Sequence, residues 1–70
     1  MTIEPHELRV IEEKSDLDVR LAKLKAFLKT ETCLNMPFDD RCLLVQQAMI
    51  MGQYAQILNA RIERFTTKGA

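Results

Sequence analysis

Lys14 is the residue whose placement most needs a chemical reason. Positions 10, 14, 17, 21, 24 and 28 are spaced by alternating steps of four and three, and all but Lys14 are Val or Leu. Such steps mark one face of a helix packed against a partner. A lysine on that face has two explanations. Its stem packs while its ammonium reaches water or Glu13, Asp18 or Glu63, or it faces a pocket built for an anion. Spacing alone leaves both open. His6, Arg9, Arg61 and Arg64 would gather at one end if the chain folds back on itself. Guanidiniums there offer paired donors to a phosphate, and the His6 ring offers a flat surface for a base. Glu7, Glu12, Glu13 and Glu63 share that region, so a salt-bridged surface is the plainer account.

Other chemistry is weaker. Glu12 and Glu13 are adjacent, so on a helix they point in different directions and make a poor acid–base pair. Cys33 and Cys42 lie far from His6, the single histidine, and read as reduced, half-buried thiols. Met36, Met49 and Met51 suit an adaptable surface but at helical spacing fit a core better. No glycine-rich loop or metal-spaced cluster stands out, so neither an enzyme nor a bound cofactor is expected.

The elements that must carry these residues are two helices. Pro5 suits a first turn, Glu4 and Glu7 suit the positive end of the dipole, and Lys23, Lys25 and Lys29 suit the other end. This predicts a helix over 5–29. Pro37 breaks the following stretch, so residues 30–39 read as a linker in which Asp39 or Asp40 caps the next helix. A second helix is expected over 40–65, with a stripe of Leu43, Leu44, Ile50, Met51, Tyr54, Ile57, Leu58, Ile62 and Phe65. Residues 66–70 are expected to fray.

A short linker turns neighbouring helices antiparallel. Folding about residues 34–35 sets residue i opposite residue 69 − i or 70 − i. Leu17 then falls near Gly52, where a missing side chain would allow close approach. Leu8, Ile11, Phe27, Leu43, Met49 and Ile57 cannot all face one shared interface, and so small a chain seldom stands on one thin core. The expected fold is therefore all-α, an antiparallel two-helix hairpin assembling into a homo-oligomeric bundle.

Composition narrows the partners. Seventy residues leave room for one small domain. Ten basic and ten acidic side chains give no net charge, which argues against a nucleic-acid polymer or an acidic membrane surface as partner. Apolar residues reach 47%, too many for a disordered tail, yet apolar runs are only a few residues long. The opening residues lack a signal peptide's pattern, so a cytoplasmic location is expected.

The string Pro5-His6-Glu7-Leu8-Arg9-Val10-Ile11-Glu12-Glu13-Lys14-Ser15-Asp16-Leu17-Asp18, followed by Leu21, Leu24 and Phe27, resembles the opening of a group of short phage proteins. Leu43-Leu44, Gln47, Met51, Tyr54, Ile57-Leu58 and Arg61-Ile62 fit the same group, so the resemblance covers about residues 5–65. The group is the anti-CBASS and anti-Thoeris hairpin family of phage sponges for bacterial immune signals. The resemblance implies helical hairpins that assemble, often as hexamers, and bind cyclic di- or trinucleotides between subunits. It implies sequestration without cleavage, so that the host effector is never switched on during infection. It also implies ligand contacts from a helix lysine, matched here by Lys14, and from an aromatic at the helix start, where this chain offers His6. His6, Arg9, Lys14 and Arg61 are thus the expected ligand-binding set. The alternative is a protein-binding hairpin, either an inhibitor of another defence complex or a phage structural adaptor.

Overall fold

A computed structural model describes residues 2–67. The first helix, α1, spans Pro5–Phe27. Its start is fixed by a reciprocal capping box: Glu4 accepts from the Glu7 backbone, and the Glu4 N–H donates to Glu7 Oε1 at 3.0 Å. Each bond satisfies a donor that the first helical turn would otherwise leave unpaired. Pro5 fits just inside, where its missing N–H costs nothing.

α1 ends two residues earlier than the lysine-rich sequence suggests. The N–H groups of Lys29 and Thr30 donate to Ala26 and Phe27 three residues back, which tightens and closes the turn. The expected linker then contains a helical turn of its own, α2, over Glu31–Leu34. Thr30 caps it, with its hydroxyl accepting from the Cys33 N–H at 3.2 Å. The second long helix, α3, spans Phe38–Thr66. It begins before both aspartates, because Pro37 occupies the N-cap position. Asp39 and Asp40 therefore sit in the first turn, where they complement the dipole without capping. At the far end the expected fraying does not reach Thr66 and Thr67. The Thr66 hydroxyl donates to the Ile62 carbonyl at 2.7 Å, and the Thr67 hydroxyl donates to that of Glu63 at 2.6 Å. The rest of the expected frayed end lies outside the described residues.

The described fold is all-helical, with α1 and α3 antiparallel along a rod of 51 × 16 × 14 Å. Helices are about 10 Å thick, so that cross-section holds two and no third layer. The core is correspondingly thin. Val10, Leu17 and Leu58 are buried together, with Met51, Ala55, Ile62 and Phe65 packed against them. Leu21 and Cys33 are also buried, and Cys33 and Cys42 are both free thiols. Among the described residues, no helix is long and apolar enough to cross a membrane.

The apolar residues of the second helix form two stripes, as their excess over one shared interface required. Ile50, expected on the inward stripe, lies on the outer one. Leu58, Met51, Ile62 and Phe65 face α1, whereas Leu43, Ile50 and Ile57 remain 63%, 64% and 59% exposed. The apolar set covers a broader arc than one partner helix can bury. Gly52 is not a point of close approach either, since a Cβ built there meets nothing within 4 Å. It lies instead in an open groove with Lys25, Leu28, Val45 and Met49.

Leu58→Ala should cost about 2–5 kcal/mol, the usual range for emptying a packed leucine site. Urea unfolding followed by helical circular dichroism measures it. A cost below about 0.5 kcal/mol would place Leu58 on the surface.

Candidate functional site

The open end of the hairpin, opposite the α2 turn, holds a groove of about 560 Å³. His6, Glu7 and Val10 contribute from α1, and Arg61, Arg64 and Phe65 from α3. Antiparallel packing brings the start of one helix to the end of the other. Arg61, Arg64 and Phe65 lie three and four residues apart, so they share a face of α3. Val10 is buried and Phe65 half-buried, which gives the groove an apolar floor.

The charges are arranged for an anion. Two guanidiniums face one carboxylate, and that carboxylate already accepts the Glu4 N–H. Glu7 is 5% exposed, because its place in the capping box turns it inward. Arg61, Arg64 and His6 are all exposed. Guanidiniums so placed can bind phosphate oxygens in pairs, and the phenyl and imidazole rings can lie against a flat base.

The four sequence-predicted residues do not all meet. His6 and Arg61 share the open-end groove. Arg9 lies in a neighbouring groove of about 320 Å³, with Glu12, Glu13, Asp16, Leu17, Arg20 and Tyr54. Two arginines face three carboxylates there, so the groove attracts no net anion. Lys14 is half-buried, and its Nζ pairs with Asp18 Oδ2 at 2.7 Å across one helical turn. At 3.6 residues per turn, Arg9 and Lys14 point about 140° apart. The ammonium of Lys14 therefore reaches the partly exposed flank, as the packing-stem explanation requires.

Sequence reasoning missed the floor of the groove. Val10 and Phe65 looked like ordinary core positions, and Glu7 looked like a solvated dipole residue. The signal for Glu7 was present in Glu4-x-x-Glu7, three residues apart before an apolar run. Among the described residues, no group of three or more His, Cys, Asp or Glu could hold a metal ion.

No curated protein and no solved structure matches the chain. The family model described as Sequestin matches residues 4–64, a span that includes the capping box, Arg61 and Arg64, and all of the groove's lining but Phe65. The name denotes sequestration and agrees with the sponge resemblance carried by the sequence. It brings a binding role rather than a catalytic one. The chain belongs to the Sequestin family.

Proposed function

We propose that this protein sequesters cyclic di- or trinucleotide immune signals, uncleaved, as a phage counter-defence sponge made of several copies. The groove at the open end carries the reading. It combines two arginines, a histidine and an apolar floor in a space of about 560 Å³, with a single, already bonded carboxylate. A cyclic oligonucleotide presents the matching chemistry of fixed phosphates and flat bases on a compact ring. Arg61 and Arg64 hold a phosphate, and His6 lies against a base. Bound signal is withheld from the host effector, which stays off.

Arg9 and Lys14 act from other flanks, so they reach a ligand only where a second copy closes a pocket over them. The Lys14–Asp18 pair does not prevent this. An exposed pair one turn apart is worth about 0.3–0.5 kcal/mol, so a phosphate can replace the carboxylate at little cost. Self-assembly supplies the closing surface. Leu43, Ile50 and Ile57 stand exposed on a chain with a thin core. The same three residues support a second reading, a hairpin that binds another protein.

A thermal-shift screen with cyclic di- and trinucleotides separates the two. Ligand at about 100 times its dissociation constant adds about 2.7 kcal/mol, several degrees for a chain this short. No shift with any of them would sink the sponge and favour the protein-binding hairpin. Charge-assisted phosphate contacts contribute about 1.5–3 kcal/mol each, so Arg61→Met and Lys14→Met should each weaken binding by roughly ten- to a hundredfold. Wild-type affinity in Lys14→Met, with Arg61→Met weakened, would reduce Lys14 to a surface ion pair and leave the groove as the site.

A further inference from the structure

α1 and α3 form a further groove, on the flank of the hairpin away from the exposed stripe of Leu43, Ile50 and Ile57. It encloses about 460 Å³ beside Lys25 and Leu28 of α1 and Val45, Ala48, Met49 and Gly52 of α3. Ile50 and Gly52 are two residues apart, so on a helix they point about 160° from each other. The groove shares no residue with the one at the open end.

Its floor is apolar and its charge has one sign. Leu28 and Ala48 are half-buried, and Val45 and Met49 are exposed beside them. Gln53 and Gln56 complete the lining, so Lys25 is its one charged residue. The surrounding chain repeats that sign. Between Val19 and Thr30, α1 carries Arg20, Lys23, Lys25 and Lys29 and no acid. From Cys42 to Ala60, α3 carries no charge of either sign. Lys25 and Lys29 lie four residues apart, so they stand one turn apart on the same side of α1. Gly52 leaves the middle of the groove open, since a Cβ built there meets nothing within 4 Å.

We propose that this groove binds an acidic amphipathic helix of another protein. Along α3 it runs from Val45 to Gln56, about 16 Å at the rise of a helix, which is three turns of a docked partner. The partner's apolar side chains, three and four residues apart, lie on Leu28, Val45 and Met49, the last an adaptable surface. Its backbone passes close over Gly52. Two carboxylates four residues apart meet Lys25 and Lys29, and polar side chains meet the amides of Gln53 and Gln56. A nucleic-acid strand would leave the aliphatic floor unused. A membrane is flat where this surface is concave.

A display library of helical peptides, randomised in charge and apolar pattern, tests this on the full chain without assuming a partner. Selection should enrich peptides with two acids four residues apart beside an apolar stripe. In fluorescence anisotropy, Lys25→Glu should weaken an enriched peptide by about tenfold or more. The same variant should gain affinity for that peptide with its acids changed to lysine. Gly52→Leu should weaken binding as strongly while raising the melting temperature, because leucine suits a helix far better than glycine and has open space here. That variant separates a filled groove from a damaged fold. No acidic enrichment, or binding that ignores both changes, would overturn the proposal. A fall in assembled mass in Gly52→Leu by native mass spectrometry would overturn it by giving the groove to a second copy. Lys25-dependent binding to phosphatidylglycerol vesicles, without peptide binding, would overturn it in favour of a lipid surface.

Discussion

Two helices side by side share one face, and this chain has only that face in which to bury its apolar side chains. Its rod, 16 by 14 Å across, has no space for a third layer. Val10, Leu17 and Leu58 fill the shared face, while Leu43, Ile50 and Ile57 are left outside. The rest of the structure follows from that shortage. The ends must be tied by capping, the polar residues must collect where the helices separate, and the unburied stripe remains exposed.

The same constraint leaves a groove at the hairpin's open end. There the interface runs out, and Val10 and Phe65 become a floor instead of an interior. Glu7 turns inward to complete the capping box with Glu4, which fixes the start of α1 and occupies the groove's carboxylate. Arg61 and Arg64 then dominate the charge of the opening. One local bond thus settles both where the helix begins and which way the groove's carboxylate turns. The chain belongs to the Sequestin family, whose name denotes sequestration.

Much of this was legible in the residues, and the exceptions have physical causes. The stepwise spacing of Val10, Leu17, Leu21, Leu24 and Leu28 gave α1 and its inward face. Pro37 located the break. The cap of α2 was not seen, because one threonine hydroxyl on a four-residue turn leaves no periodic pattern to detect. That Leu43, Met49 and Ile57 would lie off the shared face was legible, because one partner helix cannot cover so broad an apolar arc. The outward place of Ile50 was not, because aliphatic side chains are alike on either face. Gly52 was misread for a related reason. A glycine allows close approach but does not require it, and its surroundings here are open. Of the candidate residues, His6 and Arg61 came together in one groove as folding the chain in half required. Lys14 did not, since its packed stem and its pairing with Asp18 satisfy the same spacing as an inward anion pocket.

The claim on which the account turns is that the assembled protein holds a cyclic oligonucleotide and releases it unchanged. Native mass spectrometry of the protein with a panel of cyclic di- and trinucleotides tests it, followed by denaturation and analysis of the released ligand. The account predicts a multi-copy species carrying whole ligand masses, with the cyclic nucleotide recovered intact. A ligand recovered as a linear product, or an assembly that binds none of the panel, would contradict it.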